Sequence, residues 1–185
     1  MIKILGISGS LRARSKNSAL LRLIQERSAG VEVTIFHRMG SMPLFNPDVE
    51  FGPFEAVLEF RKQIRAADAV IIASPEYAHG VTGVMKNALD WIVGSGELVN
   101  KPVAVLNAAP ASTHANLALL ETLRVMNVPV IPGASLAMPV SRGELDEEKM
   151  RNDVTLGDLI DRCVRELAHA VERAEQKRLA DLAIG

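Results

Sequence analysis

The sequence predicts an α/β protein built on a doubly wound parallel sheet. Strand-like and helix-like segments alternate along all 185 residues, and this alternation is typical of β-α-β units. Two strand-like segments, Ala69 to Ala73 and Val103 to Leu106, are continuous apolar runs, as expected for strands that are buried on both faces. We therefore expect one domain over residues 1–185, with five parallel strands in the order 2-1-3-4-5 and helices on both faces.

The first half of the chain contributes two further strands and two helices. Lys3 to Ile7 is a short β-branched run, and Val31 to Phe36 alternates apolar and polar side chains, so both predict strands. Between them, Ser15 to Arg27 carries leucines and isoleucine at helical spacing, with Ser15 available as the N-cap. An irregular stretch, Met39 to Gly52, follows, and Pro53 suits the first turn of the next helix.

The second half predicts three helices and a last strand. The helices cover Thr82 to Val93, Thr113 to Met126 and Thr155 to Arg178, each with apolar side chains along one face. Val128 to Met138 is the predicted fifth strand, interrupted by a Pro-Gly pair. The segment from Ser141 to Asp153 is the most polar part of the chain and carries no predicted element.

Composition narrows the function classes. A net charge of −1 argues against a nucleic-acid partner, which selects for a basic excess. One cysteine excludes an internal disulfide and a cysteine-ligated iron–sulfur cluster, and fits a reducing compartment. No stretch approaches the ~18 apolar residues of a membrane helix, and the first apolar run is too short for a signal peptide. We expect a cytoplasmic protein without a membrane partner.

The loop after the first strand has the chemistry of an anion site. Ser8 to Ser18 holds two arginines, an amide and four hydroxyl groups after a Gly-x-x-Gly segment, and it precedes a helix N-terminus. Backbone N–H groups and the helix dipole favour an anion there, and a phosphate monoester can accept several hydrogen bonds. The alternative is a plain turn with a helix cap. The loop has neither the G-x-x-x-x-G-K-[ST] phosphate-loop motif nor G-x-G-x-x-G.

The loop after the third strand, Ser74 to Thr82, would face the first loop across the crevice of such a sheet. Tyr77 is the chain's one tyrosine, and it can cover a planar ring or line a pocket. Glu76 can order a backbone loop or face water. His79 is an acid–base candidate that no residue in the sequence orients. Trp91, in the following helix, suits the core or a subunit contact better than ligand stacking.

Together these loops resemble a known family. Gly9-Ser10-Leu11-Arg12-x-x-Ser15-x-Asn17 and Pro75-Glu76-Tyr77, followed by Lys86-Asn87-Ala88-Leu89-Asp90-Trp91, look like the NADPH-dependent FMN reductases, which include quinone, chromate and azo-dye reductases. The resemblance spans about Ile2 to Val140. It implies a flavodoxin-like fold, bound FMN, NADPH or NADH as co-substrate, and a homodimer or homotetramer with the Lys86 to Trp91 helix at a subunit contact.

The resemblance also assigns the binding residues. It implies a phosphate site made by Ser10, Arg12, Ser15, Asn17 and Ser18. It implies that the isoalloxazine ring is lined by Pro75, Glu76, Tyr77 and Ala78. The loop from Asn107 through Ala108 to Ser112 would approach the pyrimidine side of the ring. Two positions depart from the family: Ala78 stands where asparagine is common, which removes a side-chain hydrogen bond, and Thr82-Gly83 stands where Pro-Gly is common.

Chemistry in such a protein belongs to the flavin. We expect no protein nucleophile, no catalytic side chain and no metal, only contacts that hold FMN while electrons pass from NAD(P)H to a quinone, free flavin, azo dye or chromate. Two alternatives stay open. One is a flavodoxin-type electron carrier, although such carriers are usually strongly acidic. The other is a structural or regulatory module with an empty crevice, because fold alone does not fix function.

Overall fold

The computed structural model describes residues 1–109, 113–137 and 146–184. The strands are β1 (Ile2–Ser8), β2 (Val31–Phe36), β3 (Ala69–Ala73), β4 (Glu76–Tyr77), β5 (Gly80–Val81) and β6 (Val103–Leu106). The helices are α1 (Lys16–Arg27), α2 (Glu55–Ala66), α3 (Gly83–Val93), α4 (His114–Val125), α5 (Glu147–Asn152) and α6 (Val154–Ile184). None of the described helices is both long enough and apolar enough to cross a membrane.

The main sheet has four parallel strands in the order β2-β1-β3-β6. Ile4 of β1 pairs with Val33 of β2 on one side and with Ala69 of β3 on the other. On the far side of β3, Val70 pairs with Val103 of β6. All five β3 residues are completely buried, which agrees with a central strand covered on both faces.

Two apolar clusters cover the two faces of this sheet. One packs α2, α3 and α4 through residues such as Phe60, Trp91 and Leu123. The other packs α1 and α6 through residues such as Leu20 and Ile160. The predicted doubly wound, flavodoxin-like arrangement of helices on both faces is therefore confirmed.

The predicted fifth strand is wrong as a continuous strand. Within the described residues, the segment after α4 pairs with β6 and its extension only at two isolated parallel bridges, Val103 with Val130 and Asn107 with Ala137. Between them the chain turns, since the N–H groups of Ala134 and Ser135 both bond to the carbonyl of Ile131. Met138 lies outside the described residues. The described residues thus form a four-stranded sheet in the order β2-β1-β3-β6, in place of the predicted five strands in the order 2-1-3-4-5.

Three element boundaries also differ from prediction. Pro53 lies before the N-cap of α2, Phe54, rather than in the first turn. The last helix is longer at both ends than Thr155 to Arg178. Part of the polar segment forms α5, because Asp146 caps that short helix by accepting a hydrogen bond from the N–H of Lys149.

Candidate functional site

A crevice of about 290 Å³ opens at the carboxyl ends of β1, β3 and β6. Parallel strands bring their carboxyl ends to one edge, where ligands of this architecture usually bind. Three loops line the crevice, with the residues Ser10, Arg12, Arg14, Ser15, Lys16, Asn17, Ser74, Pro75, Glu76, Tyr77, Asn107, Ala108 and Ala109. The crevice lies between the two loops that the sequence singles out, with the start of a third loop beside them.

Most of the residues predicted for the site meet at this crevice. Nine of them line it: Ser10, Arg12, Ser15, Asn17, Pro75, Glu76, Tyr77, Asn107 and Ala108. Ser18 and Ala78 are not among the lining residues, and Ser112 lies outside the described part of the chain. The prediction left out Arg14, Lys16, Ser74 and Ala109. These four residues are sequence neighbours of predicted site residues, and this proximity was the signal in the sequence that could have identified them as crevice-lining residues.

The N-terminus of α1 is built by three serines. Ser15 caps the helix by accepting a hydrogen bond from the N–H of Ser18, with an N···O distance of 3.3 Å. The hydroxyl of Ser18 in turn lies 2.8 Å from that of Ser8 at the end of β1. Ser18 therefore fixes the helix start to the strand end from beneath the crevice.

Positive charge collects at this helix start. The first turn of α1 has no acidic residue, so no α1 carboxylate offsets the positive end of the helix dipole there. Arg12, Arg14 and Lys16 all line the crevice beside it, and the hydroxyl of Ser10 accepts a hydrogen bond from the backbone N–H of Arg12. This arrangement suits an anion such as a phosphate.

Asn17 is the most unusual polar group in the site. Its residue is only 7% exposed, and its side-chain oxygen has no hydrogen-bond partner among the described residues. Buried polar atoms in folded proteins normally have a partner. Because the Asn17 side chain also lines the crevice, a bound ligand is the natural source of that partner.

The first two loops touch at Gly9. A Cβ atom built on Gly9 would lie 2.1 Å from the Ser74 hydroxyl oxygen and 3.0 Å from the Ser74 Cα. Only glycine permits this approach. The N–H of Gly9 bonds to the carbonyl of Ala73 at 2.9 Å, and its carbonyl accepts a hydrogen bond from the hydroxyl of Thr82 at 2.7 Å. Gly9 therefore holds the first two loops together next to the crevice.

A tight hairpin of β4 and β5 forms the rim near Tyr77. Tyr77 pairs with Gly80 across the hairpin, and the two residues between them both have positive φ, 48° at Ala78 and 59° at His79. This left-handed conformation at both positions is typical of a two-residue hairpin turn that favours Asn-Gly. The turn projects His79 outward, and the Tyr77 residue is 59% exposed beside the crevice.

Glu76 joins the hairpin to α4. Its Oε2 accepts a hydrogen bond from the N–H of Ala115 at 2.8 Å, and its Oε1 lies 3.0 Å from Nδ1 of His79. The Ala115 hydrogen bond is the main reason why the pKa of Glu76 lies below its usual range, with the His79 contact adding to it. Since Thr113 gives α4 no side-chain cap, Glu76 supplies the carboxylate at that helix start instead.

Side chains of the Lys86 to Trp91 motif in α3 hold the loop around Pro43 and Phe45, and they do not line the crevice. Trp91 is completely buried, and its indole N–H donates to the carbonyl of Pro43 at 2.8 Å. Asn87 donates to the same carbonyl and accepts a hydrogen bond from the N–H of Phe45. The expectation that Trp91 belongs to the core is confirmed, and Lys86 pairs with Asp90 one turn away at 2.5 Å.

The third loop begins with an ordered turn. The side-chain oxygen of Asn107 accepts a hydrogen bond from the N–H of Ala109 at 2.9 Å, and the backbone N–H of Asn107 donates to the carbonyl of Leu136. These bonds hold Ala108 against the crevice. Residues 110–112 lie outside the described part of the chain, so the structure describes only the start of this loop.

Comparison with known proteins identifies the family of this chain. A family model described as NADPH-dependent FMN reductase matches residues 2–142. This chain belongs to the NADPH-dependent FMN reductase family. Both crevice-lining loops that the structure describes in full lie within the matched region, so the family assignment and the crevice concern the same part of the molecule.

Two curated relatives illustrate this membership of the FMN reductase family, and one solved structure shows the shared fold. An NAD(P)H-dependent FMN reductase of Pseudomonas aeruginosa is 37% identical over 173 residues, which are 90% of this chain and 89% of the relative. A quinone reductase of Pseudomonas putida is 32% identical over 156 residues, 80% of this chain and 84% of the relative. The structure of the flavoenzyme NAD(P)H:(acceptor) oxidoreductase from Paracoccus denitrificans has a TM-score of 0.69 at 23% identity and covers 92% of this chain and 99% of that one; this likeness shows the shared fold.

Proposed function

We propose that this FMN reductase binds FMN in the crevice, with the phosphate at the N-terminus of α1 and the ring between the second and third loops. It uses the flavin to oxidise NAD(P)H and reduce quinones or similar small acceptors. The observation that supports the binding site is the buried, unpartnered side-chain oxygen of Asn17. It lies beside a helix N-terminus that has basic residues and no acidic residue in its first turn. An orphan polar atom and an anion site in one crevice fit a phosphorylated, hydroxyl-rich ligand.

The residues present fit FMN at both ends of the crevice. Ser10, Arg12 and Ser15 stand at the α1 end, where N–H, hydroxyl and guanidinium donors suit a phosphate. Asn17 offers an amide whose oxygen can accept from a ribityl hydroxyl and whose NH₂ can donate to a phosphate oxygen. The close approach of Gly9 to Ser74 keeps the two loops together beneath the ligand.

The ring end is lined by flatter and less polar groups. Pro75 and Tyr77 line the crevice after β3, and Ala108 lines it after β6. Glu76 faces α4 and orders this loop from behind, so we assign it a positioning role. Ala78 lies in the hairpin turn, where its backbone sets the rim of the ring site. Ser18 supports the phosphate loop through Ser8 and Ser15. Ser112 stays a predicted contact of the pyrimidine edge.

The protein supplies position and electrostatics to a reaction that the cofactor performs. When bound, FMN would supply the hydride-accepting and electron-donating chemistry that links NAD(P)H to a second substrate. Tyr77 stands exposed at the rim, where an aromatic face can pack against a planar ring. Ala108 lines the crevice at the start of the third loop, and a backbone N–H group of this loop would suit negative charge on the pyrimidine side of the ring. No step assigned to this chain requires a protein nucleophile.

We further propose an assembly and a location. A homodimer or homotetramer is supported by large apolar side chains on the loop that α3 holds: Leu44 and Phe51 are each 86% exposed, and a second copy would cover them. A cytoplasmic location is supported by the free, buried Cys163. Residues 1–185 as one domain are supported by apolar clusters on both faces of one sheet.

A steady-state assay tests the activity. The purified chain, loaded with FMN, is given NADPH or NADH with a soluble quinone, free FMN, an azo dye or chromate in turn, and no partner protein. Rapid oxidation of the nicotinamide with at least one acceptor supports the reductase and excludes the carrier alternative. A flavin-loaded chain that oxidises neither nicotinamide with any acceptor would overturn the reductase and favour the carrier.

A further inference from the structure

Two histidines and a glutamate meet beside the crevice, where no step of the proposed reaction uses them. One potential ligand atom from each of Glu76, His79 and His114 lies within 4.8 Å of the other two. The two imidazole rings have centroids 4.3 Å apart at an angle of 54°, and Nδ1 of His79 lies 3.0 Å from Oε1 of Glu76. Three groups of the kinds that ligate transition metals thus converge from two separate elements.

We propose that Glu76, His79 and His114 form a binding site for one divalent transition-metal ion of the Zn²⁺ class, with a fourth position open to solvent. Imidazole nitrogen suits zinc, copper and nickel, and one carboxylate completes a common three-ligand set. Calcium and magnesium are disfavoured because they prefer oxygen ligands alone. This proposal concerns metal binding and does not depend on the proposed reductase activity.

The backbone around each of the three proposed ligands orients its side chain. The left-handed residues Ala78 and His79 form the turn that places the His79 ring beside Glu76. His114 is the first residue of α4, so its ring starts from an ordered helix. The Glu76 carboxylate is already oriented, because Oε2 is held by the N–H of Ala115 while Oε1 faces His79. A carboxylate held by an outer hydrogen bond is the usual arrangement in metal sites.

Distance and charge are both compatible with an ion at this position. Zinc–nitrogen and zinc–oxygen bonds are about 2.0–2.2 Å long, so the three ligand atoms must draw together somewhat on binding. The His79 side chain is 74% exposed and can turn to do so. The positive end of α4 disfavours a cation, but the Glu76 carboxylate, which accepts a hydrogen bond from the N–H of Ala115 at that helix start, offsets it.

The first test is Zn²⁺ titration by calorimetry on the purified full-length chain at neutral pH, where imidazole is largely unprotonated. The chain has four histidines, so the two histidines outside the proposed site can be replaced as a matched control. Wild type should bind one Zn²⁺ per chain. His79→Ala and His114→Ala should each weaken binding by about tenfold or more, whereas the double variant His37→Ala/His169→Ala, which removes the other two exposed histidines, should bind as wild type does.

The proposal is overturned if wild type takes up no stoichiometric Zn²⁺, or if either site variant keeps the wild-type affinity. Neither site variant removes the Glu76–Ala115 hydrogen bond, and matching circular dichroism spectra establish that the variants fold. Electron paramagnetic resonance of Cu²⁺ gives a second readout. The bound copper signal should show coupling to two nitrogens in wild type and to one in His114→Ala; unchanged coupling in that variant would contradict the site.

Discussion

The hydroxyl of Thr82 donates a hydrogen bond to the carbonyl of Gly9, across 73 positions of sequence and at a distance of 2.7 Å. The same hydroxyl caps α3 by accepting from the N–H of Met85. One buried side chain therefore ties the loop after β1 to the helix that follows the loop after β3.

Replacing Thr82 with valine should destabilise the protein by about 1–3 kcal/mol, because a buried carbonyl and a helix N–H both lose their partner. Urea unfolding measures this change through the transition midpoint. Thr82→Ser keeps the hydroxyl and is the matched control, expected to lie much closer to wild type. A larger loss in Thr82→Ser than in Thr82→Val would mean that the methyl group, rather than the hydrogen bonds, carries the effect.

Gly9→Ala should cost about 1–3 kcal/mol of stability because the new Cβ would overlap the Ser74 side chain. Adding Ser74→Gly removes the overlapping atoms, so the double variant should recover part of the loss. Gly83→Ala is the control, since a Cβ there meets no atom within 4 Å. Denaturant midpoints of five proteins, namely wild type, Gly9→Ala, Ser74→Gly, the double variant and Gly83→Ala, decide the matter, and additive losses at Gly9 and Ser74 would argue against the steric account.

Ala78→Asn should stabilise the folded chain by about 1 kcal/mol. Alanine at a φ of 48° is strained, while asparagine tolerates the left-handed region better. Ala78→Val should act in the opposite direction because β-branched residues fit this conformation poorly. Thermal and urea unfolding provide the comparison. If Asn and Val shift stability equally, side-chain contacts and not backbone strain decide this position.

Glu76 should contribute to stability at neutral pH and lose that contribution in acid. Its pKa is lowered in the folded protein, chiefly by the N–H of Ala115. The contribution is therefore complete above the unfolded pKa of about 4.3 and disappears as the pH falls through the lower folded value. The stability difference between wild type and Glu76→Gln should shrink below about pH 4.

Urea midpoints measured from neutral pH into acid test this pH dependence. His79→Ala serves as the comparison and should change the acid dependence less, because His79 is the smaller cause of the shift. A difference between wild type and Glu76→Gln that stays constant at every pH would contradict the assignment of the shift to the Glu76 carboxylate.

Local signals allowed the sequence to predict much of the fold. Ser15 caps α1, as predicted from its position before leucines and isoleucine at helical spacing. The strand β3 is buried, as its continuous apolar run predicts. The fifth strand is interrupted because the chain turns after Ile131, whose carbonyl accepts hydrogen bonds from the N–H groups of Ala134 and Ser135. Ser135 instead accepts the free N–H of Val105 through its hydroxyl, at 3.1 Å, a replacement that no periodic pattern indicates.

The loops that form the site could be predicted from the sequence, but the hydrogen bonds between residues distant in sequence could not. The Ser8 to Ser18 loop is chemically distinctive within a few residues, so the anion end could be predicted. The link from Glu76 to Ala115 joins residues 39 positions apart, and nothing local in the sequence points to it. The sequence indicates only a lost side-chain hydrogen bond at Ala78, whereas the positive φ there adds a backbone reason to favour asparagine.

Arg12→Ala should weaken FMN binding by about 1–3 kcal/mol, the scale of a hydrogen bond to a charged group. Arg12 lines the crevice beside the α1 N-terminus, whereas the exposed Arg173 lies on the helix α6 and supplies the control variant Arg173→Ala, which should bind FMN as wild type does. Unchanged affinity in Arg12→Ala would mean that the guanidinium points away from the phosphate.

Titration of the flavin-free chain with FMN, followed by quenching of flavin fluorescence, tests the central claim most directly. The crevice should take up FMN saturably with one molecule per chain, and Asn17→Leu should weaken that binding because it removes the unpartnered side-chain oxygen. A purified chain that stays colourless and shows no saturable uptake of FMN would contradict the claim that this crevice is a flavin site.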